Sequence, residues 1–296
     1  MALGNLASRF LVAVIAAPIL ILGFYARSPI YTWAIVFAAS MLAMQELFAM
    51  VLPDKRDRVA ALVFGALACL AFYWMDPLAL PKRAPWMYLT DSTYPVLLLA
   101  VVGPCLYYLF RFGDLTTVAA RMAATVFGIV YAGLLLTTVA KLKLFGGPEN
   151  GGHFVMFSLV VMWLGDTGAY FAGRFLGKAK LYPAVSPKKT RAGAVGGLVG
   201  SFAAAALMKV LWSQAPGSPV CPLHWLDIAL LAIPGAALGQ MGDLAESLLK
   251  RSTGVKDSGS ILPGHGGILD RIDAVLFFAP YMHVYMIVRF AFYPPT

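Results

Sequence analysis

The chain has 296 residues, 60% of them hydrophobic and 12% charged, with a mean hydropathy of +0.77. A soluble domain carries about 25% charged residues, so these values exclude an ordinary soluble fold and point to a polytopic membrane protein. The net charge of +9 suits anionic lipid headgroups and retention of basic loops on the cytoplasmic side, and no nucleic-acid partner is expected.

A helix needs about 20 apolar residues to cross the hydrocarbon core. Nine stretches qualify in chain order: 10–26, 29–52, 59–75, 94–112, 117–140, 154–176, 194–212, 226–249 and 274–292. The expected fold is therefore all-α, an integral membrane protein of about nine transmembrane helices. It divides into N-terminal helices over 1–140 and a C-terminal region over 141–296 that carries the charged motifs described below. The first stretch, FLVAVIAAPILILGFYA, lacks a small-x-small cleavage site and reads as a retained span. GGPENGG at 146–152 and SQAPGSPVCP at 213–222 read as turn-rich connectors. In GAVGGLVGSFAAAA, Gly193 with Gly197 and Gly196 with Gly200 provide small residues at four-residue spacing, which suits close helix packing in lipid. Cys69, Cys105 and Cys221 show no disulfide or zinc spacing and read as small hydrophobes.

With the N-terminus cytoplasmic, sixteen of the 23 Lys and Arg residues fall on that side and seven on the other. This bias supports an N-in, C-out arrangement. The two richest loops, 177–193 and 250–273, are separated by two spans and so share a face.

Ionisable groups within spans are costly and mark functional sites by default. Asp166 follows the uncharged run FVMFSLVVMWLG, with Tyr170 and Arg174 on its helical face. It reads as a site residue or as an ion-pair partner of Arg174. In GQMGDLAESLLKR, residues 239–251, Asp243, Ser247 and Lys250 share a face, and Glu246 with Lys250 reads as a surface pair. In KDSGSILPGHGGILDRIDA, residues 256–274, Asp270 and Asp273 project to one side of a helix behind a turn that can hold anionic oxygens. Two such carboxylates either cap the last span, with Arg271 snorkelling, or share a cation. Oxygen ligands of this kind suit Mg²⁺. Lys188 and Lys189 in SPKKT, 186–190, read as a basic loop or as a grip on a phosphate-rich ligand. His265, between glycines, is a candidate base or ligand and equally a turn hydrogen-bonder.

The segment SLLKRSTGVKDSGSILPGHGGILDRID, 247–273, resembles the signature of the phosphatidate cytidylyltransferases, also called CDP-diacylglycerol synthases. GDTGAYFAGRFLGK from 165 and SPKKT are similar to further segments of that family, so the resemblance covers about 154–280. It implies transfer of a cytidylyl group from CTP to phosphatidate, giving CDP-diacylglycerol and pyrophosphate. It also implies a polar site at the cytoplasmic boundary of a bacterial inner membrane, Mg²⁺ with a second cation of unassigned identity, and a homodimer. Under it, Asp243, Asp270 and Asp273 are the expected metal ligands, and Asp166, Lys250 and Arg251 join them as catalytic residues. Ser186, Lys188, Lys189, Thr190, Lys256, Asp257, His265, Gly266, Gly267 and Arg271 are the expected substrate contacts. One departure stands out: the family commonly continues SPKKT with Trp-Glu-Gly, whereas this chain has Arg191, Ala192 and Gly193. CTP-using lipid kinases share parts of these motifs and are the nearest alternative. A secondary transporter is another, but the matching broken helices it requires in both halves are not visible.

Overall fold

The computed structural model describes residues 14, 16–76, 93–145, 147–214, 220–261 and 266–292. In chain order the helices are α1 (Ala16–Tyr25), α2 (Pro29–Val51), α3 (Lys55–Trp74), α4 (Thr93–Phe110), α5 (Leu115–Leu142), α6 (Gly147–Leu176), α7 (Arg191–Gln214), α8 (Trp225–Ser252) and α9 (Leu269–Phe292). Eight of them, α2 to α9, are long and apolar enough to cross a membrane, and the chain is an all-α polytopic membrane protein. They correspond to eight of the nine expected spans. The expected first span, 10–26, lies partly outside the described residues, and its described part is the shorter α1, so a count of nine is not established.

Two segments differ from expectation. GGPENGG is not a free connector, because α6 already begins at Gly147. SPKKT is not an irregular loop: it is strand β2 (Ser186–Thr190), paired antiparallel with β1 (Lys180–Tyr182). This hairpin is the only sheet among the described residues.

Helix starts follow local chemistry. Asp54 accepts from Arg56 N at 2.8 Å to cap α3, and Asp114 accepts from Thr116 N at 2.9 Å to cap α5. Thr190 Oγ1 accepts from Gly193 N at 3.1 Å and so ends β2 by capping α7. Each side-chain oxygen satisfies an amide that has no partner within its helix.

The connections after α2, α4, α6 and α8 gather at one end of the bundle. Arg111 meets Asp54 there at 3.3 Å, Arg121 meets Asp57 at 2.8 Å, and Lys189 of β2 meets Asp243 of α8 at 2.6 Å. The last contact puts the 177–193 loop beside the end of α8, as the span count required. A single core runs through both halves of the chain, with Met44, Phe48 and Ile129 in the same buried cluster as Phe157, Leu231 and Phe278.

α6 and α7 pack backbone to backbone along their glycines. A Cβ added to Gly168 would lie 2.6 Å from the Gly196 carbonyl oxygen. Only glycine permits this approach, and it brings the Asp166 turn of α6 against the start of α7.

Candidate active site

A pocket of about 440 Å³ opens between α6, the β1–β2 hairpin, the start of α7 and α8. Asp166, Tyr170 and Arg174 line it from α6, Lys188, Lys189 and Thr190 from β2, and Gln240 and Asp243 from α8. The hairpin carries its two lysines differently. Lys188 is exposed, while Lys189 is partly buried and places Nζ 2.6 Å from Asp243 Oδ2. Ser247 Oγ lies 3.5 Å from the other Asp243 oxygen, one turn along α8. Arg174 donates to the Tyr170 hydroxyl at 2.7 Å, which differs from the ion pair with Asp166 considered from the sequence. Asp166 and Asp243 line the pocket together with Lys189, while Asp273 stands in the first turns of α9, where its backbone oxygen meets Gly242 of α8.

A second network lies on the next turns of α8. Lys250 Nζ sits 2.5 Å from Glu246 Oε2 and 2.6 Å from Asp270 Oδ1. The Glu246–Lys250 pair expected on the surface is therefore present but buried, since the Glu246 side chain is only 1% exposed. Asp270 also accepts from Ser258 N at 3.1 Å and from Gly267 N at 2.9 Å. Gly266 adopts φ +82°, and a Cβ there would stand 2.7 Å from Asp270 Oδ2. The glycine thus lets the loop fold down onto the carboxylate.

Glu46, on α2, joins this second network and was not among the residues expected from the sequence. It is 5% exposed. It accepts from Ser258 Oγ at 2.8 Å, from Ile268 N at 2.9 Å and from Leu269 N at 2.9 Å. The available signal was a lone carboxylate within the apolar run AMQELFAM.

The remaining expected residues are spread around these two networks. Ser186 begins β2. Asp273 accepts from its neighbour Ala274 N at 2.8 Å. Arg251, Lys256, Asp257 and Arg271 are exposed and do not line the pocket. Ala192 sits in the first turn of α7 and is also not among the lining residues. His265 lies outside the described residues.

The three expected metal ligands are thus divided. Asp243 and Asp270 were expected to share one cation, but each pairs with a different lysine. Both Asp270 oxygens are engaged, Oδ1 by Lys250 of α8 and Oδ2 by Ser258 N and Gly267 N. Among the described residues, no three Asp, Glu, His or Cys side chains stand at metal-holding distance from one another. Mg²⁺ does not need such a cage, because it is commonly held by one or two carboxylates together with substrate phosphates and water. Asp166 and Asp243, side by side in the pocket lining, have the donor chemistry for that coordination, whereas Asp270 is engaged by Lys250 and by the Ser258 and Gly267 amides.

The chain matches the model of the cytidylyltransferase family over residues 7–289. It is 42% identical over 149 residues to a protein of Staphylococcus saprophyticus named phosphatidate cytidylyltransferase, covering 50% of this chain and 55% of that protein. It is 42% identical over 135 residues to a protein of the same name from Bacillus subtilis, covering 46% and 48%. A Staphylococcus haemolyticus protein of that name is 42% identical over 146 residues, covering 47% and 51%. The chain spans about half the length of the curated relatives it matches.

Proposed function

The chain belongs to the cytidylyltransferase family, and from that premise we propose that it transfers a cytidylyl group from CTP to phosphatidate. The products are CDP-diacylglycerol and pyrophosphate. The observation that carries this reading is the pocket lined both by Lys188 and Lys189 of the hairpin and by Asp166 and Asp243. Relatives named for this activity favour it over a lipid kinase or a transporter.

In the reaction a phosphatidate oxygen forms a bond to the α-phosphorus of CTP, and the bond from that phosphorus to the β-phosphate bridge breaks. Both reactants are polyanions, so positioning and charge neutralisation are the main tasks. Lys188 is free to take triphosphate oxygens. Lys189 can exchange its contact with Asp243 for a phosphate. Asp166 and Asp243, with Asp273 in the adjoining first turns of α9, are the residues that would hold Mg²⁺. Bound there, the ion would neutralise charge on the phosphates and the leaving pyrophosphate. The attacking phosphate monoester is already largely ionised near pH 7, since its second pKa is about 6, so no strong general base is required. Asp270 serves in this scheme as the organiser of Ser258 and Gly267 rather than as a ligand.

The pocket lies at the end of the bundle richest in Lys and Arg, which supports a cytoplasmic-facing site in a bacterial inner membrane. The acyl chains then stay in the bilayer while the headgroup reaches the pocket. A homodimer belongs to the same reading and is tested by the mass of the solubilised protein. The decisive experiment supplies purified chain with labelled CTP, phosphatidate and Mg²⁺. A lipid-soluble cytidine product is expected, and its absence would overturn the proposal.

A further inference from the structure

We infer that Glu46 is a positioning residue for the transfer reaction, holding from α2 the loop and helix start that present Asp270 and Asp273. The inference rests on the reading of this site as the transfer centre. A helix leaves its first N–H groups without internal partners, and its N-terminal end favours negative charge. At the start of α9 the partner comes from 222 residues away: Glu46 Oε1 accepts from Ile268 N and Oε2 from Leu269 N, both at 2.9 Å. Oε2 also accepts from Ser258 Oγ at 2.8 Å. Both ends of the 258–268 segment are therefore fastened to one carboxylate. Ser258 N in turn donates to Asp270, whose other loop contact is Gly267 N. Glu46 and Asp270 grip the same loop at adjoining atoms.

The chemistry requires a carboxylate at position 46. Both oxygens accept and every partner is a donor. An ionised carboxylate offers only acceptors, whereas an amide turns an NH₂ towards at least one of these N–H groups. Space is equally restricted. A Cβ on Gly259 would lie 2.6 Å from Glu46 Oε1, so the loop glycine allows the carboxylate to approach. Asp273 lies one turn into α9 from these bonds, so the orientation of that first turn sets where its carboxylate points.

The test compares wild type with Glu46→Gln in full-length protein in lipid nanodiscs. It reads turnover, KM for CTP, melting midpoint and amide exchange at Ile268 and Leu269. Loss of a residue that orients a site residue typically lowers activity about 10- to 100-fold. The expected result is a fall of that size in kcat, beyond what the unfolded fraction at the assay temperature accounts for, with faster exchange at the two amides, a KM for CTP close to wild type and a lowered midpoint, because buried donors lose their acceptor. Turnover equal to wild type despite faster exchange would overturn the inference, as would a loss matching only the fraction of unfolded protein. Ser258→Ala removes one of the three bonds and leaves the carboxylate otherwise paired. It serves if Glu46→Gln does not fold, and unchanged kcat in it would also overturn the inference. If wild type transfers no cytidylyl group, the functional reading fails by itself. Unchanged exchange at 268 and 269 in Glu46→Gln would then overturn the clamp separately.

Discussion

Lys189 on β2 holds its ammonium 2.6 Å from the Asp243 carboxylate on α8. This contact joins the two loops that carry most of the site's charge. Lys189 and Asp243 side chains are 26% and 32% exposed, so the pair is only partly screened by solvent and can open towards a ligand.

Replacing Lys189 by Ala should weaken CTP binding more than it slows turnover. A charge-assisted hydrogen bond is worth about 1.5–3 kcal/mol, which corresponds to a rise of about 10- to 150-fold in KM for CTP. Lys189→Arg should recover part of the loss. Steady-state kinetics with varied CTP checks this, and an unchanged KM removes Lys189 from triphosphate binding.

Asp243→Asn should lower turnover by about 100-fold or more, the size expected when several kcal/mol of charge stabilisation is lost. The Mg²⁺ concentration giving half-maximal activity should rise as well. Chelation should silence the wild-type chain, and added Mg²⁺ should restore it. Activity of Asp243→Asn with an unaltered Mg²⁺ requirement would exclude this carboxylate as a ligand.

Asp270→Asn separates an organising role from metal binding. The side chains of Asp270 and Lys250 are 8% and 13% exposed, and breaking a buried pair by removing one charge costs about 3–5 kcal/mol. The variant should therefore melt markedly earlier and exchange faster at Ser258 and Gly267. A variant that melts like wild type but is inactive would return Asp270 to the metal site.

Gly168→Leu should separate α6 from α7, because even a Cβ at Gly168 would lie 2.6 Å from the Gly196 oxygen. Overpacking of this kind costs about 1–3 kcal/mol. A lower melting midpoint and weaker CTP binding are expected together, since the same contact shapes the pocket wall. Calorimetry and CTP titration of the purified variant test both.

Much of this protein is legible in its sequence alone. Eight of the nine spans expected from the apolar runs are present among the described residues, because lipid requires each crossing to satisfy its own backbone. The shared face of the 177–193 and 250–273 loops follows from counting two crossings between them. Spacing along a helix is equally informative: Glu246 with Lys250, and Asp243 with Ser247, meet as four-residue neighbours must. Periodicity stops at the edge of one helix, however. That Asp243 takes Lys189 while Asp270 takes Lys250, and that Glu46 closes over the start of α9 from 223 residues away, depends on how each helix is rotated against its neighbours. That rotation comes from packing over the whole bundle, down to the glycines that let α6 touch α7, and no local pattern encodes it. The residue types present at the site can be read from the chain, but which carboxylate meets which partner is decided by the tertiary structure.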